Sequence, residues 1–255
     1  MSARAQIGFP EAASSQHRLF QNATACLSSR RCAMSQPVMD IVNAIVSEGE
    51  HLLEAQQYRR ALPCFIESAR LCRQISQDAY VRQMTIVASL YFELDQIEEC
   101  LDVYRSLYDG FAAEQNLAAQ ARVLNNMGLI YRRNGQHDAA LAHYQRAREL
   151  FEILDDVYHI AEQFENIGMV YRDKQDYLLG LKNYHDALKL FTLLNNRGKI
   201  ADLHSNVAQI TAIQGDTDAA LQWYQAALDL YEGVNDGERC QHIVQHVEKL
   251  RAVAS

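Results

Sequence analysis

Residues 121–157, ARVLNNMGLIYRRNGQHDAALAHYQRARELFEILDDV, decide the architecture, because residues 161–197, AEQFENIGMVYRDKQDYLLGLKNYHDALKLFTLLNNR, repeat their plan forty positions on. Gly128 answers to Gly168, Tyr131 to Tyr171, Leu141 to Leu181, Tyr144 to Tyr184 and Ala147 to Ala187. Self-similarity at a fixed spacing marks stacked supersecondary units, so the comparison extends outward in both directions. The aromatic recurs as Phe65, Tyr104, Tyr144, Tyr184 and Tyr224, at intervals of 39, 40, 40 and 40. Three residues before it stands a leucine (Leu62, Leu101, Leu141, Leu181, Leu221), and one residue earlier a small side chain (Ala61, Cys100, Ala140, Gly180, Ala220). Three residues after it come Ser68, Leu107, Ala147, Ala187 and Ala227. Steps of 3 and 4 put all of these on one helical stripe.

A second stripe lies upstream in the same phase. Gly49, Ala88, Gly128, Gly168 and Ala208 are each followed three residues later by Leu52, Tyr91, Tyr131, Tyr171 and Thr211. Short polar stretches, NGQHD at 134–138, KQDY at 174–177 and QGDTD at 214–218, separate the two helices of a unit. The joints between units, FEILDD, FTLLNN and YEGVND, end a helix on an apolar anchor followed by turn-forming Asp or Asn. Each unit therefore reads as a helical hairpin. Small residues let its two helices approach, and aromatics and leucines wedge against the next pair, so no hairpin buries its apolar face alone. The fold class expected is all-α, an α-solenoid. Pro63 inside the second helix of the first unit must fall in the first turn or kink the element.

The pattern G/A-x-x-Y followed by A-x-x-x-Y/F-x-x-A resembles the tetratricopeptide repeat over residues 42 to about 236. The period of 40, against about 34 in the usual repeat, and Ala112, Glu152, Thr192 and Glu232 where a proline ordinarily ends the unit, resemble a long-helix subclass found in cell-polarity adaptors and bacterial peptide-sensing regulators. The resemblance implies a right-handed superhelix with repeats at about 42–77, 81–117, 121–157, 161–197 and 201–236. Residues 1–37 stand outside it as a flexible basic segment ahead of the repeat array of 38–236. Beyond it, residues 237–255 form a C-terminal capping helix, with Cys240, Ile243, Val244, Val247, Leu250 and Val253 on its buried side and Arg239, Gln241, Gln245, Glu248, Lys249 and Arg251 outside.

The resemblance further implies that the first helix of each unit lines a concave groove. The corresponding positions here include Arg82 in the second unit and Arg122, Asn125, Asn126, Arg132 and Arg133 in the third. Glu162, Glu165, Asn166, Met169 and Arg172 follow in the fourth, and Asp202 and Asn206 in the fifth. Their spacing puts each set on one helix face without reference to any family. Asn126, Asn166 and Asn206 recur at one position, and the family's asparagine there holds a ligand backbone, since an amide both donates and accepts. The arginines suit carboxylate or phosphate groups, unless Glu93, Glu162, Glu165 or Asp173 pairs with them along the face. The function expected is a non-enzymatic interaction module whose partner is a protein or peptide, with its acidic segment near units two to four and a basic part toward Glu162, Glu165 and Asp202. A peptide-sensing regulator and a self-assembling scaffold, a homo-oligomer, are the alternatives.

Composition narrows the field. Eleven Gly and three Pro in 255 residues, with 49% hydrophobic and 22% charged, exclude collagenous and disordered chains and favour long helices. A net charge of −8 gives no general attraction for nucleic acid. No run of 18 apolar residues is present, so no membrane insertion is expected. Residues 1–37 carry four arginines against Glu11 alone, a net of +3, which leaves −11 for the remainder. This segment reads as an organelle transit peptide or as an extension before a second start at Met34, and the protein otherwise as cytoplasmic. Six dispersed cysteines, Cys26, Cys32, Cys64, Cys72, Cys100 and Cys240, with no CxxC, read as reduced thiols. His242 and His246 have an i, i+4 spacing that can hold a metal, but Ile243 stands where a metalloprotease helix has glutamate. No catalytic residue, metal or cofactor is therefore expected, in keeping with the absence of GxSxG and of a Gly-rich phosphate loop.

Overall fold

The computed structural model describes residues 35–233 and 236–254, with side chains from 37 to 252 in that span. The expectations for Cys26, Cys32, Met34 and the basic charge of residues 1–34, and for Val234 and the side chain of Val253, lie outside the described residues. Those described form eleven helices and no strand: α1 (Ser35–Glu54), α2 (Tyr58–Cys72), α3 (Gln77–Glu93), α4 (Ile97–Ala113), α5 (Leu117–Arg133), α6 (His137–Ile153), α7 (Val157–Asp173), α8 (Tyr177–Leu193), α9 (Arg197–Ile213), α10 (Thr217–Glu232) and α11 (Gly237–Ala254). The fold is an all-α repeat solenoid, as the 40-residue period requires. Its hairpins begin about four residues ahead of the expected repeat starts, because each opening turn is capped by a polar residue that precedes the apolar stripe.

The underlying regularity is finer than the repeat. Helices α3 to α9 are all 17 residues long, and three-residue connectors join them. In every connector the middle residue is left-handed: Asp95, Gln115, Gly135, Asp155, Gln175, Asn195 and Gly215, with φ between 52° and 88°. The next residue then donates its N–H back to a carbonyl five residues earlier, as Gln136 does to Tyr131 (2.8 Å) and Asp176 to Tyr171 (2.9 Å), which closes the helix end. That same residue opens the following helix. Asn116, Asp156, Asp176, Asn196 and Asp216 each accept the N–H three residues on. One turn thus ends one helix and starts the next, and the 40-residue repeat contains this turn twice.

The described residues divide into two compact units between 107 and 108, a division that falls within α4. In the first unit α2 packs against both α1 and α3. Phe65 is fully buried, and its ring lies where a Cβ on Gly49 would come within 2.8 Å. Pro63 is the sixth residue of α2, past the first turn, and the helix continues through it with one backbone donor fewer. Arg82 is exposed on α3.

In the second unit each helix from α5 to α11 packs against its successor, and the first helices also touch one another, α5 with α7 and α7 with α9. The period-40 stripe is the core. Tyr144 and Tyr184 are fully enclosed, with Ala140, Ala147, Gly180 and Ala187 beside them. Each tyrosine ring covers the glycine of its own hairpin, since a Cβ on Gly128 would lie 2.8 Å from Tyr144 and one on Gly168 2.6 Å from Tyr184. The other side of each ring meets the next pair, Ile167 and Val170 for Tyr144 and Leu203, Val207 and Ile210 for Tyr184. The wedge expected only between pairs therefore works within each pair too. Tyr131 and Tyr171, one turn along the first helices, are only half-buried. No described helix is long and apolar enough to cross a membrane.

The capping helix departs from the expected stripe. Ile243 is its buried residue, Cys240, Val247 and Leu250 are half-covered, and Val244 is exposed. The helix covers Tyr224 and Ala227 along a narrower line than an amphipathic reading suggests.

Candidate functional site

Because α5, α7 and α9 lie side by side, residues at equivalent positions line up across the second unit. Three charge clusters result. Arg132 donates through Nε to Asp173 (2.8 Å) and through a terminal nitrogen to the Met169 sulfur (3.5 Å). Arg172 donates to the other oxygen of Asp173 (3.1 Å) and to Gln209 (2.9 Å). One carboxylate thus serves two guanidinium groups, and the cluster keeps a positive surplus. Arg133 and Arg122 are exposed on the same helix, Arg122 without an ion pair among the described residues. Of the two arrangements the sequence left open, Arg132 and Arg172 take the paired one with Asp173, as successive helices sit close enough for the carboxylate of one to reach the arginine of the next.

In the second cluster Glu162 and Glu165, expected near a ligand's basic part, already face a cation of the chain itself. Lys199, on α9, sits 3.1 Å from each. Glu165 is only 8% exposed. Burial raises its pKa, and Lys199 works the other way. Burial also opposes charge on Lys199, but Glu165 and Glu162 outweigh it and hold the ammonium group charged above the usual lysine range. The sequence signal for Lys199 was missed because it occupies the first turn of α9, two residues ahead of the 201–236 repeat.

In the third cluster Asp202 accepts both oxygens' worth of contact from Arg239 (3.0 Å each) and a hydrogen bond from the Tyr231 hydroxyl. Asp236 stands 3.4 Å from the same guanidinium group, which also lies over the Tyr231 ring at 5.7 Å. Arg239, expected on the outer face of the capping helix, instead turns toward the row of first helices.

The asparagines behave unequally. Asn166 donates to Asn125 (2.8 Å), Gln163 to the same oxygen (3.1 Å), and Asn125 to Asn126 (3.5 Å), so these amides form a chain from α7 to α5. Asn206 lines an open cleft of about 700 Å³, with Glu165, Met169, Asp202, Ser205, Gln209, Tyr231, Asp236, Glu238, Arg239, His242 and Ile243. The predicted residues are therefore gathered on one face, apart from Arg82 in the other unit, and Glu165, Met169, Asp202 and Asn206 meet at one cavity.

His242 and His246 contact each other edge to face at 4.7 Å, and His246 stacks on Tyr224. Burial, with His242 and Lys249, keeps His246 below the usual histidine range. Among the described residues no group of three or more His, Cys, Asp and Glu is arranged to hold a metal.

A stack of hairpins whose first helices present a continuous polar face defines a repeat scaffold of the kind that binds other proteins. The chain belongs to the tetratricopeptide repeat family, whose model matches residues 80–153 and 157–233. Such repeats are generally interaction modules and not enzymes. No curated protein matches the chain by sequence. Among solved structures it is similar to BtubC (BKLC) from P. vanneervenii, with a TM-score of 0.65 at 17% identity over 89% of this chain and 93% of that one. It is also similar to the Rap conjugation gene regulator of the plasmid pLS20 in complex with the Phr* peptide (TM-score 0.62, 14% identity, 91% and 67% covered). A third is the nearly identical TPR-like repeats of a putative kinesin light chain from Podosopora anserina (TM-score 0.60, 8% identity, 76% and 96% covered). At these identities the likeness is one of fold.

Proposed function

We propose that the face formed by α5, α7 and α9, closed at its far end by α11, binds a segment of a partner polypeptide. The observation that carries this reading is the open cleft of about 700 Å³ at which Met169, Ser205, Asn206 and Gln209, residues of two first helices, converge. Amides and hydroxyls at that spacing serve a peptide backbone. The positive surplus around Asp173, together with exposed Arg122 and Arg133, suits an acidic segment of the ligand over α5. A net charge of −8 favours protein over nucleic acid as partner. Cys64, Cys72, Cys100 and Cys240 form no disulfide among the described residues, in keeping with a reducing, cytosol-like compartment.

The test is site-specific photo-crosslinking in cells, with benzoyl-phenylalanine at Asn126 and at Asn206, and at Gln145 and Gln222 on the exposed sides of α6 and α10 as controls. Polypeptide adducts at the first pair and not the second are expected. Adducts confined to the second pair reject the face.

A further inference from the structure

Charge and cavity coincide at one end of the proposed binding face. Of the charged groups lining the cleft, four are carboxylates, Glu165, Asp202, Asp236 and Glu238, and one is the guanidinium of Arg239. Glu165 is more than nine-tenths buried, and only its Oε2 is engaged, by Lys199; its Oε1 has no hydrogen-bond partner among the described residues. That oxygen is open to a donor entering the cleft. The cleft also already holds a cation. Arg239 is half-exposed, yet Asp202, Asp236 and the Tyr231 ring surround its guanidinium group. That side chain belongs to α11, which has one fully buried anchor, Ile243, and carries exposed Val244.

We propose that this cleft recognises an arginine or lysine side chain of the partner segment, and that Arg239 occupies the subsite in the chain's own stead until the ligand displaces it. The incoming cation lies between Glu165 Oε1 and Asp202, while Asn206 and Gln209 meet the adjoining backbone. The Tyr231 ring, which faces Arg239 now, serves the ligand's cation equally. The proposal rests on the reading that this face binds a polypeptide and adds the chemistry of the residue it selects.

Selection of a random dodecapeptide display library on the full chain tests it. Recovered peptides are expected to be enriched in Arg and Lys, and the best of them should lose about tenfold in affinity when its basic residue becomes citrulline or norleucine. Asp202→Asn should weaken that peptide by about tenfold, and Glu165→Gln should weaken it too, while Arg239→Ala should tighten it by roughly tenfold because the internal competitor is gone. The last variant guards against a folding artefact, since a damaged site does not bind more tightly. Acidic or charge-neutral selected peptides, or an Arg239→Ala variant of unchanged or weaker affinity, overturn the proposal. Should Asn206 crosslink to polypeptides while the selected peptides show no basic bias, the binding face stands and only the cation subsite falls. Should neither crosslinks nor binders appear, both fall.

Discussion

At the residue scale the repeat is a contact between a glycine and a tyrosine. The Tyr184 ring occupies the space a Cβ on Gly168 would need, and Gly168 and Gly180 allow α7 and α8 to cross closely. Gly168→Ala should therefore cost about 2 kcal/mol, because an enclosed aromatic has nowhere to move. Gly110, on an exposed side of α4 with open space around it, should gain about 0.5–1 kcal/mol when changed to Ala. Thermal or urea denaturation of the two variants gives the comparison. The Glu162–Lys199–Glu165 cluster has its own signature. Removing the cation in Lys199→Gln leaves burial, with the charges of Asp202 and Glu162, acting on Glu165, whose pKa then rises further above its unfolded value. A carboxyl raised in this way contributes stability below its unfolded pKa and loses it as pH climbs through the folded one. The variant should be destabilised by about 3 kcal/mol at pH 8 and progressively less toward pH 5. A penalty independent of pH would refute the pairing. Legibility at this scale was uneven: the aromatic and small residues stood out because their positions repeat, whereas Lys199 and Arg239 occur once and carry no period.

At the element scale the connector does more than the helix interiors to set the fold. A left-handed residue every twenty positions fixes the direction of exit, and a polar side chain one position later caps the next helix. Most of these left-handed positions hold a residue with a Cβ, which pays for that conformation. Asp155→Gly and Gln175→Gly should each raise stability by about 1 kcal/mol, and Gly135→Ala and Gly215→Ala should lower it by a similar amount. Asp156→Ala, which removes a helix cap, should cost about 1 kcal/mol. Chemical denaturation of the set separates the signs. The stretches NGQHD and QGDTD announced turns through their glycines, while KQDY and ILDD bore weaker signals for the same geometry, so the twenty-residue rhythm emerged only once the backbone was seen.

At the scale of the whole molecule stability is a sum over neighbours, since each hairpin touches mainly those beside it. Within the second unit α11 is the last such neighbour, covering Tyr224 and Ala227 through Ile243. A chain ending at Glu232 should lose amide-exchange protection in α9 and α10 while α5 and α6 keep theirs. Uniform loss across the unit would show instead that it unfolds as one block. The truncation also removes Arg239, so α11 links the stability of the last hairpin to the chemistry of the adjoining cleft.

The amino-acid sequence by itself determined the class of fold, the pairing of helices and which face of each first helix points the same way. Those properties follow from periodicity, and a period survives in one dimension. Which charges on that face are already matched was decided only by the tertiary structure. Asp173 reaching Arg132, Lys199 reaching Glu165 and Arg239 reaching Asp202 all join residues 34 to 41 positions apart. Contacts of that kind depend on how closely adjacent hairpins stack and on where the final helix lies, and no local pattern of residues encodes either distance.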